Sequence, residues 1–396
     1  MKTISNIDFK NKRALVRVDF NVPLNENNEI TDNTRIKAAV PTIKHILNNG
    51  GSVVLMSHLG RPKGGFEEKY SLKHIISELE KLIGREVKFL DDCVSEKSFE
   101  YTKDLKNGEV VMLENLRFYP EEKAGDSGFA KKIAKHGDIY INDAFGTAHR
   151  AHASTAIITE NFPNDKYFGL LLEKEMKNID VLLLDPKPPT TAIIGGAKVS
   201  SKITIIEKLM DSVDQIIIGG GMAYTFIKAQ GGRVGDSLVE DDYIKTAKDV
   251  LELAKKKDVQ VFLPTDTIIA DKFANDARSK SCSIYEIPEE WMGLDIGTDT
   301  IQQFNDVIQS SKTILWNGPM GVFEMESFKN GTVAIANSLV NATRNGAFTL
   351  IGGGDSVAAI NQLDLGDKVS YVSTGGGAML EYLEGKELPG IKSILN

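Results

Sequence analysis

The sequence predicts an α/β protein of two domains, each built around a mainly parallel sheet, with a helix between them. Three observations carry that prediction. Short apolar runs alternate with helical patterns along almost the whole chain, which is the mark of βαβ units. One Pro-rich break, Asp185-Pro-Lys-Pro-Pro189, ends the helical pattern over 168–184 and is the best boundary in the chain. The strands of the two halves end in different chemistry, basic and hydrogen-bonding in the first, glycine-rich in the second.

The chain has 396 residues, enough for two or three domains, with 41% hydrophobic and 26% charged residues, an ordinary globular composition. Its net charge of −8 argues against general nucleic-acid binding, so any anion site must be a local basic cluster. Cys93 and Cys282 stand far apart and fit no CxxC or zinc pattern, which favours a reducing compartment. The start of the chain lacks the apolar run of a signal peptide, and Val181-Leu-Leu-Leu184 is too short to span a membrane. A cytoplasmic protein is expected.

In the first half the strand-like runs are Ala14–Val18, Ser52–Met56, Val110–Leu113 and Ile139–Ile141. A helix from Arg35 to Leu47 places Ile36, Val40, Ile43 and Leu47 on one face, with caps among Thr31–Thr34 and a stop at Gly50-Gly51. Pro41 within it predicts a kink or a break. Ser71 caps a second helix, Leu72 to Leu82, which Gly84 ends. His45, His74 and His136 sit in helical surroundings and are read as structural.

Ligands of parallel sheets bind outside the carboxyl ends of the strands. There the first half carries Asp19 and Asn21, then His58 and Arg61, then Arg117, then Asn142, Asp143, His149, Arg150 and His152. Arg35 stands at the start of the first helix. Arginine's planar fork suits phosphate and carboxylate, so a small, polyanionic, hydroxylated ligand is expected. In the second half, Thr191–Ile194, Gln215–Ile218 and Phe348–Ile351 run directly into Gly195-Gly196, Gly219–Gly221 and Gly352–Gly354, while Val369–Val372 reaches Gly375–Gly377 through Ser373-Thr374. Val261–Leu263 and Thr313–Trp316 are further strands, the latter leading to Asn317-Gly-Pro. Glycine turns let backbone N–H groups approach phosphate. Lys198 and Lys202, four residues apart, and Asp355, a candidate metal-phosphate ligand, complete a nucleotide-binding set. No GxxxxGK[ST], protein-kinase, GxGxxG, HExxH or GxSxG motif is present.

These residues resemble the phosphoglycerate kinase family. The resemblance rests on Arg17-Val-Asp-Phe-Asn-Val-Pro23, Ser57-His-Leu-Gly-Arg-Pro62, Glu114-Asn-Leu-Arg-Phe118 and the run Asn142–His152. In the second half it rests on Gly195-Gly-Ala-Lys198, Gly219–Ala223, Trp291–Asp295, Trp316–Pro319, Gly321–Glu324 and Gly352–Asp355. It extends from near residue 10 to Gly390, and the length is similar to that of bacterial members.

The resemblance implies reversible phosphoryl transfer between 1,3-bisphosphoglycerate and Mg-ADP, giving 3-phosphoglycerate and Mg-ATP, in line and after domain closure. It implies two Rossmann-like lobes with mainly parallel sheets joined by an interdomain helix. Their expected bounds are 1–170 for the phosphoglycerate lobe, 171–185 for the helix and 186–380 for the nucleotide lobe, with the tail 381–396 packing back on the first. Asp19 and Asn21 would hold the glycerate; His58, Arg61, Arg117 and Arg150 would bind the 3-phosphate. Arg35 would reach the reacting carboxyl and the transferred group. Lys198 and Lys202 would meet nucleotide phosphates, with Lys202 following the group in flight. Gly219 and Gly293 would line the nucleotide site, Asn317 assist the phosphates and Glu324 hold the ribose. Asp355 would hold Mg²⁺ near Gly353, Gly354 and Ser356; Ser356 stands where many members have Thr, which keeps the hydroxyl. A monomer with no nucleic-acid or membrane partner is expected. The alternatives are a non-catalytic two-lobed phosphometabolite or nucleotide sensor, and another carboxylate kinase.

Overall fold

The structure, a computed structural model, describes residues 2–396. The chain divides into two compact units. One holds the residues up to Lys177 together with Glu387–Asn396, and the other Asn178–Lys386. The division falls inside the helix Leu170–Leu184 rather than at the Pro-rich segment that follows it.

The first unit is built on a six-stranded sheet in the order Val87–Leu90, Val110–Leu113, Ser52–Met56, Arg13–Arg17, Ile139–Asn142, Lys166–Phe168. Every pair is parallel. The central strands are buried on both faces because helices cover both, so apolar residues run on without alternation. The two edge strands, Val87–Leu90 and Lys166–Phe168, are four and three residues long and each contains a lysine, too short a signal to be found by pattern. Phe168 therefore ends a strand, and the helix expected from it begins at Leu170.

Helix Thr34–Asn48 runs on through Pro41. The proline removes one N–H and costs about 3 kcal/mol in a free helix. Here Ile36, Ala39, Ile43, Ile46 and Leu47 are buried in the same apolar cluster as Ala14, Val16, Val53 and Leu55. Each buried Ile or Leu among them contributes about 1.5–3 kcal/mol, and several together exceed that cost. Ser71 caps as expected, its hydroxyl accepting from the Lys73 N–H, although the first turn is 3-10 and the α-helix proper is Ile76–Ile83. Gly84, with φ of +72°, ends it in the left-handed conformation.

The C-terminal helix Pro389–Leu395 belongs to this first unit. The Gly390 N–H donates to the Ala148 carbonyl at 2.9 Å, and Asn142 Nδ2 donates to the Gly390 carbonyl at 3.1 Å. Lys166 Nζ donates to the Ser393 carbonyl at 2.8 Å.

The second unit carries another six-stranded, wholly parallel sheet, ordered Gln260–Phe262, Gln215–Ile218, Thr190–Ile194, Thr313–Asn317, Phe348–Ile351, Tyr371–Val372. A three-stranded antiparallel sheet, Ser279–Ser283, Asp266–Ala270, Met292–Ile296, is added to it. Among the described residues no helix is long and apolar enough to cross a membrane.

Candidate active site

In the first unit the strand ends do converge. Strand Arg13–Arg17 delivers Arg17, buried to 1% exposure, and the turn after it delivers Asp19. The next strand over, Ser52–Met56, delivers His58, also buried. The 3-10 turn Leu116–Phe118 delivers Arg117. Arg17 Nη2 lies 3.2 Å from His58 Nδ1, and Asp19 Oδ1 lies 3.9 Å from the same atom. Burial lowers the His58 pKa well below the usual histidine range, and the guanidiniums of Arg17, Arg117, Arg35 and Arg150 push it the same way. The ring is neutral at physiological pH.

Arg35 reaches in from helix Thr34–Asn48, with Nη1 at 2.9 Å from Asp19 Oδ2 and 3.3 Å from the Asn21 carbonyl oxygen. The Asn21 side chain accepts from the Gly60 N–H at 2.8 Å. Arg117 Nη1 donates to the Gly60 carbonyl at 2.7 Å, while its buried Nε has no protein partner among the described residues. Desolvation, then Arg150 and Arg17, lower the Arg117 pKa to about 10, so it stays charged. Arg150 Nε donates to His149 Nε2 at 3.2 Å. Arg61 stands exposed on the loop after His58, outside this hydrogen-bonded set.

The second unit brings its glycine-rich ends together around Asn317, a buried residue at the end of a central strand. Lys202 Nζ donates to Asn317 Oδ1, and Asn317 Nδ2 donates to the Gly352 carbonyl at 2.8 Å. The Asn317 carbonyl accepts from the Gly195 N–H at 2.9 Å. Ser356 Oγ accepts from the Gly318 N–H at 2.6 Å, tying strand end to helix start. Gly353 has φ of +92°, and a Cβ there would run into Asn317 Nδ2, so only glycine fits. Gly354 and Asp355 stand exposed at the first turn of helix Gly354–Gln362, where N–H groups lack helical partners.

Lys198 and Lys202 do not share a helix face, because the helix begins only at Ile203 with Lys202 as its N-cap. Lys198 is exposed, whereas Lys202 is half-buried, and desolvation lowers its pKa against the opposing pull of Asp355. Gly219 follows strand Gln215–Ile218, its N–H donating to the Ile194 carbonyl at 2.9 Å. Gly293 lies in the antiparallel sheet, where a Cβ would strike the Tyr224 ring. Glu324 is exposed on a loop tied to that strand by the Val322 N–H, which donates to the Leu294 carbonyl at 2.9 Å.

Pattern reasoning misses Arg17, Glu122 and Ser154, all buried at the first cluster. Arg17 carried a signal: a charged residue inside the apolar run Ala14–Val18 has no place in a core unless something pairs with it. Glu122 and Ser154 carried none.

One sheet ends in guanidiniums around a buried neutral histidine, the other in glycine turns around a lysine–asparagine pair. Together they define a two-domain phosphotransferase of the α/β class. A family model described as phosphoglycerate kinase matches residues 4–386. The chain is 52% identical to the phosphoglycerate kinase of Porphyromonas gingivalis, over 99% of each chain. It is also 52% identical to phosphoglycerate kinase 3, cytosolic, of Arabidopsis thaliana, over 99% of this chain and 97% of that one. The fold matches that of phosphoglycerate kinase from Coxiella burnetii with a TM-score of 0.89 at 39% identity, covering 99% of this chain and 98% of that one. The chain belongs to the phosphoglycerate kinase family. Its activity is phosphoryl transfer to and from a carboxyl group, in glycolysis.

Proposed function

We propose that the first unit binds 3-phosphoglycerate or 1,3-bisphosphoglycerate and the second binds ATP or ADP. The observation that carries this is the segregation of the two chemistries. Arg17, Arg35, Arg117 and Arg150 all act on His58 within the first unit, while Lys202, Asn317, Gly353 and Ser356 are linked within the second.

On this reading His58, Arg117 and Arg150 hold the 3-phosphate, joined by Arg61 from its exposed loop. The unpartnered Nε of Arg117 supports this, since a buried charged donor without an acceptor is costly and a phosphate oxygen would satisfy it. Asp19 and Asn21 meet the glycerate hydroxyl and carboxyl. Arg35, held by Asp19 through Nη1 alone, turns its remaining donors to the reacting carboxyl. Gly219 and Gly293 line the base site, and Glu324 takes the ribose. Lys198, Asn317 and the first turn at Gly353, Gly354 and Ser356 take the phosphates. Lys202 follows the transferred group.

Asp355 is the residue that would hold Mg²⁺. No cluster of three His, Cys, Asp or Glu side chains forms a metal cage among the described residues. A Mg²⁺ carried on nucleotide phosphates needs only one or two protein carboxylates, and an exposed aspartate at a phosphate-binding helix start fits that need. When bound, the ion neutralises charge on the phosphate oxygens. The chain's own part is to fix donor and acceptor oxygens in line and to keep water from the acyl phosphate, which requires the two ligands to be brought together. We place the protein in the cytoplasm, as with the cytosolic Arabidopsis relative, and expect a monomer.

Calorimetry of Arg150→Ala with each ligand separately tests the division. One charge-assisted bond is worth about 1.5–3 kcal/mol, so 3-phosphoglycerate binding should weaken about ten- to a hundredfold while ATP binding is spared. An equal loss for both ligands would refute the assignment of Arg150 to one ligand.

A further inference from the structure

Beneath the basic cluster lies one carboxylate that no step above uses. Glu122, on the short helix Pro120–Ala124, has 0% exposure. An isolated buried carboxylate is costly and survives only where hydrogen bonds and opposite charge compensate it. Here Oε1 accepts from the Ser154 hydroxyl at 2.6 Å and Oε2 from the Ser154 N–H at 3.0 Å. The Glu122 backbone carbonyl accepts from the Ala153 N–H at 2.9 Å. Glu122 therefore clamps the end of the loop that carries His149, Arg150 and His152.

The clamp has a direction. Ser154 has one hydroxyl proton, and Glu122 takes it, because an ionised carboxylate can only accept. The lone pairs of Ser154 Oγ are then left to accept, and Arg17 Nε donates to them at 2.8 Å. Arg17 is held a second time by the Val18 carbonyl through Nη1. Its Nη2 consequently lies 3.2 Å from His58 Nδ1. A guanidinium has no acceptor, so Nδ1 must accept and the ring proton must sit on Nε2. His58 Nε2 makes no hydrogen bond to the described residues, which leaves its N–H for an anion.

We propose that Glu122 is a positioning residue for the acid-binding site: through Ser154 it aims Arg17 at His58 and so fixes the tautomer in which His58 meets the substrate phosphate. This rests on the assignment of the cluster to 3-phosphoglycerate. Two features bear on the carboxylate itself. Burial raises the Glu122 pKa, while the attraction of Arg17 and Arg117 and the two Ser154 bonds oppose that rise. His152 Nδ1 lies 3.8 Å from Glu122 Oε1, yet burial and three arginines lower its pKa to about 4, so Glu122 is not spent on a histidine ion pair.

The test is ¹⁵N NMR of the histidine rings in the full-length protein, with His58 assigned by the loss of its signals in His58→Gln. Glu122→Gln is the direct variant. Because Glu122 is fully buried, Ser154→Ala and Ser154→Thr repeat the test without altering a buried charge. Wild type and Ser154→Thr should show a protonated Nε2 and a bare Nδ1. Ser154→Ala should show a mixture of tautomers, with about tenfold weaker 3-phosphoglycerate binding and unchanged ATP binding by calorimetry. An unchanged His58 tautomer in Ser154→Ala overturns the proposal, even if affinity falls, since the loss would then be merely structural. A changed tautomer with undiminished 3-phosphoglycerate affinity overturns instead the assignment of the cluster to this substrate.

Discussion

Arg35 and Asp19 meet through a single nitrogen, Arg35 Nη1 standing 2.9 Å from Asp19 Oδ2. The same nitrogen lies 3.3 Å from the Asn21 carbonyl, so both protein acceptors are served by one corner of the guanidinium. The side chain is about a third exposed, and its Nε and Nη2 make no hydrogen bond to the described residues. The fork is thus anchored on one side and open on the other.

Lysine at this position would keep the charge but lose the fork. Its one head group cannot hold Asp19 and a ligand oxygen in the same fixed geometry. Arg35→Lys is expected to lower kcat about ten- to a hundredfold, the worth of one charge-assisted bond of about 1.5–3 kcal/mol, with KM for ATP unchanged. Steady-state kinetics in both substrates checks this. An undiminished kcat would reduce Arg35 to a partner of Asp19.

The returning tail should be a structural part of the first unit. Leu388, Ile391 and Ile394 are buried, and Asn142, Ala148 and Lys166 bond to the tail backbone. Each buried aliphatic side chain contributes about 1.5–3 kcal/mol. Deleting Glu387–Asn396 should therefore destabilise this unit by several kcal/mol, seen as an earlier urea unfolding transition. A chain whose transition does not move would show that the tail merely rests on its surface.

His136 gives the fold a pH dependence of known sign. It is fully buried, its Nε2–H donating to the Cys93 carbonyl at 2.8 Å and its Nδ1 lying 2.8 Å from Thr102 Oγ1. Desolvation lowers its pKa from 6.5 to about 4. Between those values the unfolded chain binds the extra proton and the folded one does not, so stability falls as pH drops through this window. Over pH 6.5 to 5 the loss from this group is on the order of 2 kcal/mol. His136→Gln should remove that component, so the difference in unfolding free energy between pH 7 and pH 5 should shrink by about this amount. Equal pH dependence in both proteins would mean that the His136 pKa is the same in the folded and unfolded chain.

How much of this was legible in sequence depends on whether a residue's signal is local. The two parallel sheets were legible because Ser52–Met56, Val110–Leu113 and Thr313–Trp316 are continuous apolar runs, as doubly covered strands require. His58 and Arg117 were legible because each stands within a few residues of the end of such a run. The edge strand Lys166–Phe168 was not, since its pairing with Ile139–Asn142 supplies what its own pattern lacks. Pro41 does not break its helix, because the helix is stabilised by the core beneath it, which no local rule sees. The four-residue spacing of Lys198 and Lys202 did not say how they would differ: Lys198 lies exposed in the glycine turn, while Lys202 caps the helix that starts at Ile203. Glu122 could not be found at all, because its partner Ser154 is distant in sequence and both are ordinary surface types.

The last prediction concerns Lys202. A phosphoryl group in flight spreads its charge over three equatorial oxygens between two anionic partners, and a cation must follow it. Lys202 is suited to this by its environment. It is half-buried at the mouth of the glycine turns, its pKa lowered by desolvation, its amine bonded to the neutral Asn317 amide rather than to a carboxylate. A neutral partner positions the charge without cancelling it, which leaves the field available to a phosphate. The rival account is that Lys202 only braces Asn317 and, through it, Gly352. The two differ in what Asn317→Ala does. If Lys202 is a brace, Asn317→Ala and Lys202→Ala should lose similar activity. If it follows the phosphoryl group, Lys202→Ala should lose about 10³-fold or more in kcat, the range known for a cation on a transferring phosphoryl group, and Asn317→Ala much less. KM for either substrate should change little in Lys202→Ala, because the interaction is strongest in the transition state. Steady-state kinetics of both variants, with circular dichroism to confirm folding, separates the accounts. A folded Lys202→Ala enzyme that keeps most of its kcat would move the role to the exposed Lys198.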